Sequence, residues 1–442
     1  MTVTRRRVLH SVAAGTAVAL GQTAAGLSAE EEAVFVHPAD GLGELVDAIE
    51  LLDGEIRLEY ENFDFVAASV PVESVEELGG LPSVASVEVD EPIEIPTGWS
   101  PTLPDVLDPG GGDCSTHSEQ EIPWNVERIG ADQVDGTGSG VDVGILDTGI
   151  ETDHCSLEVA GGENVTALGT PGDYEDRHGH GTHVAGTVGA TDNDYGVVGV
   201  APESNLYAVK VLDDTGSGRY SDLVAGIDWC MEHEIEIISM SLGGESRSET
   251  VDQAVTAAYD AGHLLLSAAG NEENEGDGRC EEETMTYPAT HEDVLAVAAM
   301  DQDDTLASYS SVGSAIDLIA PGSDVPSTTT SNEYAEASGT SMACPAVTGV
   351  AALVWESRTA DDTPNEAVWE RLTETAEPVL ETCEEGHGLV DARAALEEDA
   401  TGGPFAPLLS ALQWVIRAIV GVFRWIGRVI RRILGWLTSL AG

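Results

Sequence analysis

Three short motifs contain the residue types that nucleophilic acyl transfer needs. Asp147 lies in GILDTG at the end of an apolar run, His180 begins HGTHVAG, and Ser341 lies in GTSMACP at the opening of a helical stretch. A serine hydroxyl is a poor nucleophile at neutral pH, so it needs a base within hydrogen-bond reach, and that base needs an orienting carboxylate. A helix N-terminus also stabilises developing negative charge. We therefore predict a catalytic triad of Asp147, His180 and Ser341.

Each motif alone is weak evidence. An isolated Asp at a strand end is more often a turn residue, an isolated His is more often structural, and Gly-Thr-Ser is mostly a helix cap. All three together, in the order Asp, His, Ser, make coincidence improbable. Among the neighbouring side chains, we interpret His178 as a solvated loop residue, His183 as a structural histidine, and Cys344 as a small buried hydrophobe rather than a catalytic thiol.

The elements that must position these residues are read from the hydrophobic pattern. Continuous apolar runs alternate with helical stretches, which is typical of a parallel sheet covered on both faces. The predicted strands are 141–146, 206–212, 235–241, 264–269 and 294–299, and the predicted helices are 181–189, 220–233, 249–261 and 341–356. Sites in such α/β folds lie at the carboxyl ends of the strands, where the triad motifs fall.

Residues 120 to about 396 resemble the subtilisin-like serine proteases, in which the triad residues follow in this order. The resemblance implies that Ser341 attacks the scissile carbonyl, His180 transfers its proton, and Asp147 holds the imidazole tautomer. Asn271, in the matching segment AAGN, and the Ser341 backbone N–H would bind the oxyanion. The predicted fold is a subtilisin-like parallel sheet with helices on both faces, preceded by a small α+β propeptide domain and followed by an amphipathic helical tail.

The same resemblance implies a substrate cleft and a calcium site. Extended substrates would pair with the strand SLGG, which is β-augmentation. The implied substrate-binding residues are Ser241, Leu242 and Gly243 on one wall of the P1 pocket, Ala268, Ala269 and Gly270 on the other, and Thr286 at its base. The implied structural Ca²⁺ ligands are Gln120, Thr191, Asn193, Tyr195 and Val197. Ser156 stands where the family usually supplies an aspartate, so a plain acidic loop without metal stays an alternative.

The segments before the peptidase domain (120–398) have distinct patterns. Residues 1–29 combine paired arginines with a short apolar stretch and small residues, which predicts a twin-arginine signal peptide and secretion. Residues 33–97 resemble the family's inhibitory propeptide. The linker 98–119 is rich in Pro and Gly, and we expect the maturation cut between Pro101 and Gln120.

The charge is extreme. The chain has 18 basic and 80 acidic side chains and a formal net charge of −62. Such a protein repels itself in dilute buffer, whereas molar salt shortens the Debye length to about 3 Å. This favours adaptation to very salty surroundings, like that of the halolysins of salt-loving archaea, over an ordinary acidic protein. It also excludes nucleic acid as a partner. Six cysteines allow up to three disulfides, and the sequence does not choose their connectivity.

The tail, 405–442, differs from the rest because it has no acid and five arginines. On a helical wheel the arginines form one stripe: Arg417, Arg424, Arg428, Arg431 and Arg432. Trp414, Trp425 and Trp436 lie near its border with the apolar face. This predicts a helix at a membrane surface, with docking on the acidic peptidase body as the alternative.

The leading hypothesis is thus a secreted, halophilic, self-processing serine endopeptidase held near a membrane by its tail. Its partners would be protein and peptide substrates and its own propeptide. Two alternatives belong to other classes: a proteolytically inactive binding scaffold, and a precursor of a membrane-active C-terminal peptide.

Overall fold

The computed structural model describes residues 31–102, 120–272, 284–358 and 363–397. The described residues from Glu31 to Leu396 belong to one compact unit, and Glu397 is the only described residue of a second. Three of the predicted segments lie outside the described residues: the signal peptide (1–29), positions 103–119 of the linker, and the tail (405–442). Among the residues that are described, no helix has the length and apolar character needed to cross a membrane.

The N-terminal module (residues 31–91) is a four-stranded antiparallel sheet covered by two helices. Its elements are β1 (Glu31–Pro38), α1 (Leu42–Leu51), β2 (Glu55–Glu59), β3 (Val66–Pro71), α2 (Val75–Gly79) and β4 (Val84–Val89), with strand order β2-β3-β1-β4. Because side chains alternate along a strand, Val34 and Val36 face the two helices, whereas Phe35 faces the peptidase domain. A short strand, β5 (Pro92–Glu94), follows the module.

A seven-stranded parallel sheet forms the centre of the peptidase domain. In chain order its strands are β6 (Asp142–Asp147), β7 (Val159–Asn164), β8 (Asn205–Lys210), then, after the separate short strand β9 (Ser217–Arg219), β10 (Ile237–Met240), β11 (Leu264–Ala268), β12 (Leu295–Met300) and β13 (Leu318–Pro321). The order across the sheet is β13-β12-β11-β10-β6-β8-β7. A separate antiparallel pair, β14 (Val325–Thr329) and β15 (Glu333–Ala337), follows β13 in the chain.

Helices cover both faces of this sheet. The peptidase helices are α3 (Trp124–Arg128), α4 (His180–Gly189), α5 (Tyr220–Glu232), α6 (Glu249–Asp260), α7 (Thr340–Ser357), α8 (Pro364–Glu374), α9 (Thr382–Glu385) and α10 (Ala392–Leu396). Helices α4 and α7 share one core with the sheet, and α5 and α6 share another. The second core includes Phe35 and Phe65, so the N-terminal module packs against the α5–α6 face.

The predicted α/β fold class, a parallel sheet with helices on both faces, is confirmed. Each of the five predicted strands and four predicted helices is present, with bounds that differ by at most two residues. The strands were recognisable because the sheet is buried on both faces, which makes residues such as Ile237, Ile238 and Leu265 apolar without alternation.

Candidate active site

Asp147 and His180 form a buried hydrogen-bonded pair at the carboxyl edge of the sheet. Asp147 is the last residue of β6 and His180 is the first of α4, and both are fully buried. His180 Nδ1 lies 2.8 Å from Asp147 Oδ1 and 3.0 Å from Oδ2. The backbone N–H of Thr148 also donates to Asp147 Oδ1 at 2.7 Å. These contacts fix the carboxylate and the orientation of the imidazole ring.

The pair is close because two glycines let α4 approach the loop after β6. A Cβ added at Gly181 would lie 2.1 Å from the Gly149 carbonyl oxygen and 3.2 Å from the Asp147 side chain. Gly149 itself has φ of 107°, which side-chain-bearing residues rarely adopt. The glycines of GILDTG and HGTHVAG are therefore needed for the contact between the two motifs.

Asp176 anchors the turn that presents His180. This buried carboxylate accepts hydrogen bonds from the hydroxyls of Thr148 (2.9 Å) and Thr182 (2.6 Å). It also accepts from the N–H groups of His178 (2.8 Å), Gly179 (3.0 Å) and Thr182 (2.9 Å). Asp176 was not predicted, although it lies only four residues before the predicted catalytic histidine.

Lys210, the single lysine of the chain, is buried beside this network. Lys210 is the last residue of β8 and lies opposite Asp147 in the register of the sheet. Its Nζ donates to the Thr148 carbonyl and forms a salt bridge with Asp214 Oδ1 at 3.0 Å. Thr148 is thus held through its N–H, its hydroxyl and its carbonyl. These bonds fix the position of the loop that follows β6.

Ser341 is the second residue of α7 and is also buried. Its Oγ donates to the Ser241 carbonyl oxygen at 3.4 Å, and Ser241 Oγ donates to the Ser341 carbonyl at 3.0 Å. His180 Nε2 is buried and has no hydrogen-bond partner within the described residues. The Asp–His contact of the predicted triad is therefore present, and the His–Ser hydrogen bond is not made in this form of the chain.

The Asn271 side chain is oriented by Thr340, the residue before Ser341. Asn271 Oδ1 accepts from the Thr340 backbone N–H (3.0 Å) and hydroxyl (2.9 Å). This leaves Asn271 Nδ2 facing the cleft, where it donates to the Thr97 carbonyl oxygen at 2.8 Å. Thr340 is a second positioning residue that the sequence analysis did not single out.

The chain itself crosses the cleft, extended at residues 92–94 and with a turn at residues 97–98. Strand β5 pairs antiparallel with β9, and Glu94 exchanges both backbone hydrogen bonds with Gly243, at 2.9 and 3.0 Å. The Ile95 N–H donates to the Gly216 carbonyl at 3.1 Å. Beyond Thr97, Thr102 exchanges both backbone bonds with Glu336 of β15, at 2.9 and 2.8 Å. Residues 92–102 thus occupy the groove as a peptide would.

Thr286 narrows the predicted P1 pocket. The six wall residues from the sequence analysis are all buried: Ser241, Leu242, Gly243, Ala268, Ala269 and Gly270. A Cβ added at Gly243 would lie 2.6 Å from Thr286 Oγ1, and one added at Gly270 would lie 2.8 Å from Thr286 Cγ2. The Thr286 side chain therefore fills the space between the two walls.

Residues 138–400 match the Subtilase family, which is more than half of the chain. Subtilisin DY of Bacillus licheniformis is 42% identical over 285 residues, which are 63% of this chain and 100% of that protein. The chain belongs to the subtilase family. A thermostable alkaline protease of Halalkalibacterium halodurans is 37% identical over 377 residues, 85% of this chain and 94% of its own. Subtilisin NAT of Bacillus subtilis subsp. natto is 36% identical over 354 residues, 79% of this chain and 85% of its own.

The subtilase is accordingly a serine-type endopeptidase, as the sequence analysis predicted. The relatives named here are bacterial, so the finer resemblance to archaeal halolysins stays a prediction.

The predicted calcium ligands converge on one loop. The Gln120 side-chain amide lies 2.9 Å from the Thr191 carbonyl oxygen and 3.4 Å from that of Val197. Asn193 Oδ1 accepts from the Tyr195 N–H at 3.1 Å. Gln120 Nε2 donates to the Thr191 and Val197 carbonyls, so its amide nitrogen and not its oxygen faces them, and all five predicted ligands are neutral. Ser156, at the position of the family aspartate, instead hydrogen-bonds the Tyr334 hydroxyl at 2.7 Å. A set without a carboxylate binds Ca²⁺ weakly.

The two histidines close to His180, His183 within the motif and His178 before it, have different environments. His183 is fully buried and bonds the Ala335 carbonyl at 3.1 Å, and burial lowers its pKa to about 3, so it is neutral. His178 is not the solvated residue that we expected. It is half-buried, its Nδ1 is inaccessible to solvent, and burial followed by the charge of His180 lowers its pKa. Its surroundings are formed by Trp99, which sequence spacing does not bring near.

Four of the six cysteines are described. Cys344 is a buried free thiol with a pKa that burial raises to about 12, as expected for a hydrophobic role. Cys230 is also buried and free, whereas Cys155 and Cys383 are disulfide-bonded. Two free thiols among six cysteines leave at most two disulfides, not the three that the sequence allowed.

Proposed function

We propose that this subtilase is a secreted endopeptidase that cleaves proteins and peptides through an acyl-enzyme on Ser341. Ser341 Oγ attacks the scissile carbonyl carbon, and His180 Nε2 takes the hydroxyl proton and then gives it to the leaving amine. Water attacks the resulting ester by the same route and restores Ser341. The buried Asp147–His180 contact of 2.8 Å is the observation that carries this proposal, because it directs Nδ1–H to the carboxylate and leaves Nε2 as the base.

Asn271 Nδ2 and the Ser341 backbone N–H are the proposed donors to the oxyanion. Support comes from the carbonyl of Thr97, which already accepts from Asn271 Nδ2 at 2.8 Å. Because Thr340 holds Asn271 Oδ1, the amide does not reorganise during the reaction, which is the condition for efficient electrostatic stabilisation.

Substrates would bind by adding a strand between β9 and residues 241–243. The pairing of Ile93 with Gly218 and of Glu94 with Gly243 supports this mode, since it uses only backbone groups. Such recognition is independent of side-chain identity and suits an enzyme that acts on many unfolded chains.

The N-terminal module would act as an inhibitory propeptide. Two of its carboxylates cap peptidase helices: Glu88 accepts from the N–H groups of Glu249 (2.9 Å) and Thr250 (3.0 Å), and Asp90 accepts from the N–H of Ser221 (2.9 Å). Acceptors at a helix N-terminus satisfy N–H groups that have no partner within the helix. The caps align the module so that residues 92–97 enter the cleft.

Self-processing would cut the Thr97–Gly98 bond. The sequence favoured a cut between 101 and 120, but the carbonyl held by the oxyanion amide belongs to Thr97. Gly98 follows with φ of 96°, a turn that suits glycine. Gln120 is already docked on the calcium loop in the uncut chain, so processing does not require residues 120–123 to move.

Structural Ca²⁺ would be held by the side-chain oxygens of Gln120 and Asn193 and the carbonyls of Thr191, Tyr195 and Val197. When bound, the ion would stabilise this loop against unfolding. Its neutral ligands would make it easy to remove.

The net charge and the C-terminal tail suggest where the enzyme works. The net charge of −62 supports enzyme activity in molar salt, as in the halolysins, after export by the twin-arginine route.

The tail, 405–442, would hold the enzyme at the outer membrane surface through its tryptophans and apolar face, since salt screens its arginines. Co-sedimentation with vesicles in molar KCl tests the tail, because a chain ending at Asp399 should stay in solution.

The variant Ser341→Ala tests the proposed function. We expect no peptide hydrolysis and a precursor that stays uncut, because one nucleophile performs both reactions. Wild-type protein should yield a new N-terminus at Gly98, determined by N-terminal sequencing. A Ser341→Ala chain that matures normally would assign the processing to another protease.

A further inference from the structure

The Trp99 indole packs against the histidine cluster of the active site (His178, His180 and His183). Its ring centroid lies 4.7 Å from that of His180 and 5.5 Å from that of His183, both nearly perpendicular, and 6.2 Å from that of His178. Such edge-to-face contacts between aromatic rings are favourable. Since His183 and His178 both have lowered pKa values, the surface that meets the indole is largely uncharged.

A second contact lies three residues further along the chain. Thr102 and Glu336 form an antiparallel bridge with both backbone hydrogen bonds, at 2.9 and 2.8 Å. Glu336 lies in β15, whose other edge pairs with β14. The bridge therefore uses the open edge of β15, which accepts any backbone in extended form.

The Thr97 carbonyl, which accepts from Asn271 Nδ2, marks the bond from which substrate positions are counted. If the bond after Thr97 is the scissile one, Trp99 occupies the second position and Thr102 the fifth position beyond it. We infer that the leaving-group side of the cleft selects substrates with an aromatic residue two positions after the cut and a backbone that pairs with β15 five positions after it. This inference rests on the proposed endopeptidase function and specifies its substrate class.

The test uses internally quenched peptides built on the chain's own sequence EIPTGWSPT (94–102). The matched set replaces the tryptophan by Ala or Leu, or N-methylates the last threonine to remove its N–H donor. We expect kcat/KM to fall about 3- to 10-fold for Trp→Ala, less for Trp→Leu, and about 3- to 10-fold for N-methylation, which are the usual sizes for an aromatic contact and one hydrogen bond. Product masses identify the cleaved bond.

The enzyme variant His178→Ala completes a double-mutant cycle. The readout is the ratio of kcat/KM for the Trp peptide to that for the Ala peptide, which a general loss of activity leaves unchanged. We expect this ratio to shrink in His178→Ala. Equal hydrolysis of all peptides, or cleavage at a bond other than Thr-Gly, would overturn the inference while leaving the endopeptidase function intact. Failure to cleave any peptide would contradict the proposed function itself.

Discussion

Replacing Thr286 by glycine should let the enzyme accept larger residues at P1. In the structure the Thr286 hydroxyl and methyl lie within 2.6 and 2.8 Å of Cβ positions built on Gly243 and Gly270, so they occupy the pocket between the walls. We therefore expect the wild-type enzyme to prefer small P1 residues such as Ala or Thr. The chain's own Thr97 agrees with this preference.

The size of the effect follows from the space released. Thr286→Gly removes three side-chain atoms, enough for the three extra carbons of Leu over Ala. At about 0.8 kcal/mol per buried methylene this is about 2.4 kcal/mol, or about 50-fold in the ratio of kcat/KM for P1 Leu to that for P1 Ala. The assay compares matched peptides that differ only at P1.

Thr286→Val is the matched control. It keeps the side-chain volume and replaces only the hydroxyl by a methyl group. The hydroxyl donates to the Ala269 carbonyl at 3.3 Å, and the Thr286 N–H donates to the same carbonyl at 2.9 Å, so the carbonyl keeps a partner in the variant. The Val variant should retain the wild-type P1 profile. If Thr286→Gly also retains it, Thr286 does not form the base of the pocket.

Three further outcomes are expected. Asn271→Ala should lower kcat about 10²- to 10³-fold, the range measured for this donor in subtilisin itself, with KM unchanged; a raised KM with normal kcat would make Asn271 a substrate-binding residue. Burial raises the pKa of Asp90 to about 6, so the docked module keeps a proton that a free carboxyl with pKa near 3.9 releases, and docking should weaken as pH rises from about 4 to 6. Size-exclusion chromatography of the processed mixture should thus show less bound module at pH 6 than at pH 4.5, and Asp90→Asn should remove this difference. His37 opposes the effect, because burial lowers its pKa and its protonation at low pH disfavours docking. Chelation of Ca²⁺ should lower the Tm only slightly in wild type and clearly in Ser156→Asp, where a carboxylate joins the neutral ligands; equal shifts would mean that no ion binds this loop.

Much of the fold was predictable because its determinants are local. The strand from Asp142 to Asp147 and the helix from His180 to Gly189 each carry their pattern within a few residues, and the glycines that bring them together are part of the motifs. The order of Asp147, His180 and Ser341 then located the site.

The parts that were not predicted depend on contacts between distant segments. Asp176 acts through donors on two loops and a helix, and its role has no sequence pattern beyond its position before His180. The environment of His178 is created by Trp99, which comes from the linker. The proposed maturation bond after Thr97 lies before the range expected from the linker, because composition marks a loop and not the carbonyl that Asn271 holds.

The central claim is that Ser341 is the nucleophile and His180 its base. Labelling the mature enzyme with a fluorophosphonate, followed by digestion and peptide mapping, tests this most directly. We expect one adduct, on Ser341, whose formation slows by several orders of magnitude in His180→Ala and is abolished in Ser341→Ala. An active preparation that carries no adduct on Ser341, or carries it on another residue, would contradict the assignment.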